Sequence, residues 1–294
     1  MNILKYKNYY FAFSGLLIAA SIISMAVFGF RSGIDFSGGT LWQIKFQSKS
    51  ASIGALQEIL RKENFENPLI RNGSTDNEFF ISLKEITEEK HQQLGRQFGE
   101  QLGEFEELSF ASIGPAVGKE LRNKAVTAFL MVLSGISLYV AFAFRKVSYP
   151  VSSWLYGWVT LVTLFHDVLI PAGTLSFLGW WLGVEADINF LVALLVIMGF
   201  SVHDTIVVFD RIRENLMNSK NKEKLEEIVN DSVNQTMARS INTSLTLVIV
   251  LVSIYLLGAE SLKHFTLLIL VGTITGAYSS IFIASPLLTL SKRK

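Results

Sequence analysis

The chain contains no cysteine and only five prolines in 294 residues. The absence of cysteine excludes disulfide bonds, cysteine-held zinc and cysteine nucleophiles. An excess of one charge is also missing, because 26 Lys and Arg are matched by 25 Asp and Glu. A formal net charge of +1 offers no electrostatic basis for nucleic-acid binding, so no nucleic-acid partner is expected.

Motifs of the common enzyme classes are missing as well. The sequence has no Walker A loop, no nucleophile elbow and no His-x-x-x-His ligand pair. Residues 33–40 are rich in glycine, but no strand precedes them and no Lys-Ser/Thr follows, so they are interpreted as a backbone turn. We therefore expect no enzyme, no metal and no cofactor. His91 is expected to be isolated and exposed.

In contrast, hydrophobic residues are abundant. They make up half of the chain and include 22 Phe. That is too apolar for an ordinary soluble domain. Runs of about 20 apolar residues, long enough to cross a bilayer, lie at residues 9–30, 124–144, 150–181, 186–209, 241–258 and 263–290. The sequence thus predicts an α-helical membrane protein with six transmembrane helices. The first run is longer than a signal-peptide core and is expected to be retained. The third contains Pro171 and Gly173 and is expected to bend or end there.

Positive charges cluster at one end of these runs. They are Lys5, Lys7, Arg145, Lys146, Arg211, Arg213 and residues 292–294. The loop around Glu185 and Asp187 has no Lys or Arg, and the loop 258–264 has only Lys263. The positive-inside rule then predicts a multi-pass membrane protein with both termini in the cytoplasm.

The polar segment 31–121, between the first two spans, follows a different pattern. Strand-like alternation or helical spacing predicts strands at 40–46, 68–71, 78–83 and 105–111, with helices at 52–63 and around residues 86–102. The order strand-helix-strand-strand-helix-strand is typical of a small ferredoxin-like α+β domain, here extracytoplasmic. Trp42, Ile44 and Phe46 are expected to share one sheet face.

The resulting domain organisation has three parts. Residues 1–30 form the cytoplasmic N-terminus and first helix, 31–121 the extracytoplasmic α+β domain, and 122–294 the remaining five helices with a cytoplasmic loop at 210–240. The later half of residues 211–239 is expected to form an amphipathic helix along the membrane surface before the fifth span.

Asp204 lies inside the fourth apolar run. A carboxylate at a membrane-helix centre costs about 2.5–3.5 kcal/mol on insertion scales, so it marks a functional-site hypothesis. Removal from water favours the protonated form of a carboxyl group, which would suit a proton carrier. The alternative is a carboxylate that only hydrogen-bonds a neighbouring helix. His203 points to another face and is interpreted as a satisfied structural histidine.

Other polar residues within or beside the spans leave several readings open. His166 and Asp167 could serve a relay or a helix–helix hydrogen bond. Arg239 could pair with the ionised Asp204, or could extend to the interface. Membrane anchoring explains most of the cluster of Asp210 with Arg211, Arg213 and Glu214. Asn242 is one of several polar residues at the start of the fifth span that extend into the membrane. Gly272, Gly276, Ser279 and Ser280 of the sixth span are expected to serve close helix packing.

Four strings together resemble the SecD/SecF family of bacterial protein export, within the resistance-nodulation-division (RND) superfamily, and within it the stand-alone SecF type. They are residues 33–40, His166-Asp167, residues 199–215 and residues 232–246. The resemblance implies an accessory subunit of the Sec machinery that uses the proton motive force to promote translocation. It assigns proton coupling to Asp204 and Arg239. It adds a motif turn containing Gly33, Asp35, Gly38 and Gly39. Relay or support roles, which the residues themselves suggest, are left open for Asp167, His166, His203, Asp210 and Asn242. Phe209 stands where the family often has Ser.

The partners implied are SecD in a heterodimer, the SecYEG translocon with YajC or YidC, the unfolded exported polypeptide, and membrane lipid. Two alternatives remain open. An RND-type small-molecule exporter is disfavoured by the single repeat, and a scaffold subunit without ion coupling would leave Asp204 without a role. Whether H⁺ or Na⁺ is the coupling ion is also open.

Overall fold

The structure is a computed structural model that describes residues 2–47, 51–65, 68–73, 75–145, 151–219 and 224–290. Two groups of basic residues used above for orientation, Lys146 and residues 292–294, lie outside the described residues. The chain divides into two compact units, Ser32–Val126 and Met1–Arg31 together with Thr127–Lys294.

The helices and strands follow one another as listed here. In chain order they are α1 (Lys7–Phe28), α2 (Ile34–Ser37), β1 (Gly39–Phe46), α3 (Ile53–Lys62), β2 (Leu69–Asn72), β3 (Glu78–Leu83), α4 (Glu88–Leu102), β4 (Phe105–Ile113), α5 (Pro115–Ala143), α6 (Ser153–Leu182), α7 (Ile188–Asn218), α8 (Leu225–Leu257), α9 (Glu260–Ser279) and α10 (Ser285–Thr289). A short 3₁₀ turn precedes α1, and a π-helical turn, Ser280–Ala284, joins α9 to α10.

Within the described residues, six helices are long and apolar enough to cross a membrane: α1, α5, α6, α7, α8, and α9 with its continuation through α10. The prediction of six transmembrane helices is confirmed. Several of these helices are longer than the apolar runs. For example, α5 begins at Pro115 and α7 continues to Asn218. Hydropathy shows only the part of a helix that suits lipid, whereas the hydrogen-bonded helix continues through charged residues.

The third span does not end at Pro171, because α6 runs through it without interruption. Proline lacks the N–H that a helix interior uses, but membrane helices tolerate it where neighbouring groups satisfy the freed polar atoms. Near this point Ser24 Oγ of α1 donates to the Gly173 carbonyl at 2.9 Å. A Cβ on Gly173 would lie 2.4 Å from Ser21 Cβ, so this glycine permits the close approach of α1.

The prediction of an amphipathic helix along the membrane surface before the fifth span is also wrong. Residues from Leu225 onward belong to α8, which continues without a break to Leu257. Val229 and Val233 are buried in one cluster with Phe209 and Ile212 of α7. The apolar face read from the sequence is therefore covered by protein.

The unit Ser32–Val126 contains an antiparallel sheet in which the described strands follow the order β2-β3-β1-β4. With α3 and α4 this is the ferredoxin-like arrangement that the element order predicts, so the fold-class prediction is confirmed. Trp42, Ile44 and Phe46 of β1 are all buried in its core, as predicted. The Trp42 ring centroid lies 5.3 Å from that of Phe98 in α4.

His91 is not exposed or isolated, as its sequence context had suggested. Its side chain is only 13% exposed, and its Nε2 lies 2.7 Å from Glu107 Oε2. Its ring stacks on Phe110 with centroids 3.8 Å apart. Both partners lie on β4, and strand pairing places them beside α4, which no local pattern around His91 reveals.

The glycine-rich segment after α1 forms the predicted turn and adds the single helical turn α2. Gly38 and Gly39 have φ angles of 74° and 132°, a region that favours glycine. A Cβ on Gly38 would lie 2.7 Å from Pro115 Cα, and one on Gly39 would lie 2.7 Å from the Leu83 carbonyl oxygen. Two independent constraints therefore exclude a side chain at both positions.

We expect Gly39→Ala to destabilise the unit Ser32–Val126 by about 1–3 kcal/mol, because alanine is strained at this φ and its Cβ meets backbone. Chemical unfolding of the purified full chain in detergent measures the effect. Gly99→Ala is the matched control, since Gly99 lies in helix α4 with no atom within 4 Å of its Cβ position. That change should leave stability equal or raise it by up to about 1 kcal/mol. Equal unfolding midpoints for the two variants would contradict the assignment.

Candidate functional site

Asp204 lies in the middle part of α7 with 2% of its surface exposed. Ser244 Oγ of α8 lies 3.0 Å from Asp204 Oδ2 and 2.8 Å from the Ser240 carbonyl oxygen. A hydroxyl has one proton to donate and two lone pairs. Ser244 can therefore donate to an ionised Asp204, or donate to its own helix backbone while accepting the proton of a neutral Asp204. The geometry accommodates both protonation states of this acid.

Arg239 does not form an ion pair with Asp204 in this structure. Its side chain is exposed and makes no ion pair with any residue that the structure describes. It lines an open cleft of about 410 Å³ between α7 and α8. The other residues of this cleft are Val207, Asp210, Arg211, Glu214, Gln235 and Thr236. The pairing of Arg239 with Asp204 stays a prediction.

The charged cluster at the end of α7 pairs within itself. Arg213 Nη1 lies 3.3 Å from Asp210 Oδ1, and Arg211 Nη1 lies 2.6 Å from Glu214 Oε2. Arg211 Nε also donates to Gln235 Oε1 of α8 at 2.5 Å. Such partly exposed pairs contribute about 0–1 kcal/mol each. Their main consequence is a polar, charged surface around the cleft.

Asp167 in α6 is fully buried and lies at the centre of a hydrogen-bond network. Its Oδ2 accepts from Ser201 Oγ of α7 and, at 2.7 Å, from Ser279 Oγ of α9. His166 Nδ1 lies 2.7 Å from its Oδ1, and His166 Nε2 lies 3.1 Å from Ser14 Oγ of α1. One carboxyl group thus ties α6 to α7 and α9, and through His166 to α1. Helix–helix hydrogen bonding, one of the two open readings, is found.

A proton relay between Asp167 and Asp204 stays a prediction. Ser201 is the residue through which the two acids could be connected. Ser201, which donates to Asp167, lies three residues before Asp204 on α7. Residues at this spacing are neighbours on one helix face, about 4.5 Å apart along the axis. Asp167 of α6 therefore contacts α7 at a residue about one helical turn from Asp204.

The sequence did not identify the partners of Asp167. Ser14 lies in an uncharged apolar run and nothing local marks it, whereas Ser201 stands inside the string 199–215. Ser279 was expected only to pack, yet it donates to Asp167. The neighbouring glycines do serve close packing, since a Cβ on Gly272 would lie 2.4 Å from Ile197 and one on Gly276 would lie 3.1 Å from Ser201.

Two candidate residues are not brought into the site. His203 and Asn242 are exposed, and neither side chain hydrogen-bonds to a residue that the structure describes. The interpretation of His203 as a satisfied structural histidine is therefore corrected. The α-helical period turns both side chains away from the α7–α8 contact that holds Asp204. Across the described parts of the chain, no three His, Asp or Glu side chains are grouped in a way that could hold a metal ion.

Two family models match the chain. Residues 93–294 match the model described as protein export membrane protein SecD/SecF, C-terminal, and residues 23–49 match the SecD/SecF GG motif. The second match covers the turn at Gly38 and Gly39.

Similarity to known proteins extends over the whole chain. A protein translocase subunit SecF from Thermobaculum terrenum is 40% identical, over 100% of this chain and 95% of that relative. A protein translocase subunit SecDF from Thermus thermophilus is 35% identical, over 95% of this chain and 37% of its own length. The crystal structure of SecDF from that organism, described as a translocon-associated membrane protein, matches with a TM-score of 0.85 and 34% identity. The match covers 99% of this chain and 38% of that one.

Proposed function

The chain belongs to the SecD/SecF family of protein export membrane proteins, and from this premise we propose that it is the SecF-type accessory subunit of Sec protein export. The proposal is supported by whole-length similarity to proteins named as translocase subunits. In this role the chain has no catalytic chemistry of its own, and its work is mechanical. The energy for this work comes from an ion gradient.

The carrier of that energy is Asp204, which takes up and releases a proton. The observation that carries this proposal is the Ser244 hydroxyl, which can satisfy Asp204 in either protonation state. One elementary charge crossing 100 mV yields about 2.3 kcal/mol. At about 1.4 kcal/mol per factor of ten, this biases a two-state element roughly fifty-fold. Such a bias is large enough to drive an alternation between two arrangements of the helices.

Arg239 supplies the opposite charge in the second arrangement. It lies five residues before Ser244 on α8, about 7.5 Å along the axis and about 140° around it, so pairing requires α8 to turn relative to α7 in the second arrangement. Its exposed guanidinium has no ion-pair partner among the described residues that would have to be displaced. Pairing would stabilise the ionised Asp204, and protonation would release the arginine.

The principal partner is a SecD-type protein. The SecDF relative matches this chain over only 37% of its own length, which leaves most of that single polypeptide for a second half. In a stand-alone form that half would come from a separate chain, here SecD. The other proposed partners are SecYEG with YajC or YidC, an unfolded exported polypeptide, and membrane lipid.

The protein is a multi-pass membrane protein, and its proposed place is the bacterial inner membrane with both termini in the cytoplasm. Lys7 forms an ion pair of 3.1 Å with Glu226 at the start of α8. Ile3 shares a buried cluster with Leu288 of α10 and Ile212 of α7. These contacts place the described N-terminal residues, the end of α7, the start of α8 and α10 at one end of the helices. That end carries Arg211 and Arg213, which supports the cytoplasmic assignment.

Export into inverted membrane vesicles under imposed gradients tests the proposal. We expect a proton gradient to stimulate export in vesicles that contain the chain, and an equal sodium gradient to have no effect. Vesicles from a strain that lacks the chain are the control. Stimulation by the sodium gradient alone would identify Na⁺ as the coupling ion. If neither gradient stimulated export, the chain would act as a scaffold without ion coupling.

A further inference from the structure

One face of α8 carries a row of hydroxyl groups. Ser232, Thr236, Ser240 and Ser244 recur every four residues, which places them on one helix face. All four are buried, with 0%, 7%, 1% and 6% of their surface exposed. The last one bonds to Asp204. The row therefore runs along the helix towards the buried acid.

One member of this row has no partner. Ser232 accepts from Asn215 Nδ2 at 2.8 Å, and Thr236 donates to the Ser232 carbonyl at 3.0 Å. Ser240 Oγ, in contrast, is buried and forms no hydrogen bond with any residue that the structure describes. Buried polar groups are otherwise almost always satisfied, and ordered water is the usual partner where protein offers none.

The position of Ser240 suggests where such a water would come from. Thr236, four residues earlier, lines the open cleft of about 410 Å³ with its charged side chains. Ser244, four residues later, holds Asp204. Each step is one helical turn, about 6 Å along the axis. Ser240 thus stands midway between a polar cleft and the buried acid.

We infer that a water molecule bound at Ser240 connects the α7–α8 cleft with Asp204 and forms the part of the proton path that opens to the cytoplasmic side. In the direction of the proton motive force, Asp204 gives its proton to the water at Ser240, and that water gives one of its own protons to water in the cleft. Only O–H bonds form and break. The inference deepens the proposed function, on which it rests.

Water access can be measured directly, because the chain has no cysteine and single thiols can be introduced. In inverted vesicles, Ser240→Cys is treated with a charged, membrane-impermeant methanethiosulfonate reagent. A thiol must be ionised to react, which requires contact with water. We expect Ser240→Cys to react at least tenfold faster than Ile241→Cys, whose side chain is half exposed on the outer, lipid-suited face of the helix.

Thr236→Cys, in the cleft, calibrates access of the reagent. Reaction of Thr236→Cys without reaction of Ser240→Cys would overturn the inference. Equal rates for Ser240→Cys and Ile241→Cys would do the same, since they would show no preferred path.

A second measurement tests whether proton transfer depends on Ser240. We expect Ser240→Val, which fills the space with methyl groups, to slow proton-gradient-driven export at least fivefold, and Ser240→Thr to recover it. A packing defect alone would lower the unfolding temperature in parallel, so that temperature is measured for both variants.

Failure of this inference and failure of the proposed function give different results. If Asp204→Asn abolishes the stimulation and Ser240→Val leaves it intact, the path is wrong and the function stands. If Asp204→Asn has no effect, the proposed coupling fails, whatever the labelling shows.

Discussion

Asparagine in place of Asp204 is expected to abolish gradient-stimulated export while the protein still inserts into the membrane and associates with its SecD-type partner. Asparagine has nearly the same size and keeps an oxygen that can accept from Ser244. It cannot take up or release a proton, so the roughly fifty-fold bias from one charge in a 100 mV potential is lost. The measurement compares export with and without the proton gradient in vesicles carrying each variant.

Asp231→Asn is the matched control, because Asp231 is an exposed acid on α8. It should leave both basal and stimulated export unchanged. Undiminished stimulation in Asp204→Asn would refute proton coupling through this residue. Truncation of residues 31–121 would then separate a scaffold from an inert subunit, since a scaffold that works through this α+β domain fails when the domain is removed.

Loss of the Asp167 carboxyl group is expected to have a large effect on stability. Asp167→Ala removes the acceptor of Ser201 on α7 and Ser279 on α9, and the partner of His166, the preceding residue of α6. Hydrogen bonds between membrane helices contribute about 0.6–1.7 kcal/mol each, so the two that join different helices amount to roughly 1–3 kcal/mol. Unfolding of the purified protein in detergent measures this loss.

Two further variants decide what Asp167 does. Asp167→Asn retains an acceptor oxygen and should lose less than half as much stability. Ser279→Ala removes one bond and should cost about 1 kcal/mol. If Asp167→Ala is no less stable than Ser279→Ala, the network is not a structural centre. If Asp167→Asn is stable but loses stimulated export, Asp167 also belongs to the proton relay.

The elements that the sequence predicted correctly depend on local patterns. Alternation of Trp42, Ile44 and Phe46 identified β1, and helical spacing of Leu94, Phe98 and Leu102 identified α4, because each pattern follows the period of its own backbone. The apolar runs identified six spans, because about 20 residues must cover the lipid thickness. The turn at Gly38 and Gly39 was visible as glycines where the chain leaves a helix and enters a strand.

The elements that it predicted wrongly depend on distant contacts. α6 does not end at Pro171, beside which α1 packs closely at Gly173, and a bend at that point stays a prediction. The face of α8 around Val229 and Val233 looked suited to a membrane surface, but α7 covers it. His91 looked solitary because its partners Glu107 and Phe110 are on β4. In each case the deciding group is not part of the local pattern.

The same division holds at the site. The sequence alone determined that a carboxyl group stands inside the fourth span, and that this is costly enough to need a reason, because transfer free energy depends on residue type and depth. It could not determine the partners. Ser244 is 40 residues from Asp204, and Ser279 is 112 residues from Asp167. Only helix packing brings these hydroxyls within hydrogen-bond distance, because their position depends on how several helices fit together and not on the order of residues in any one of them.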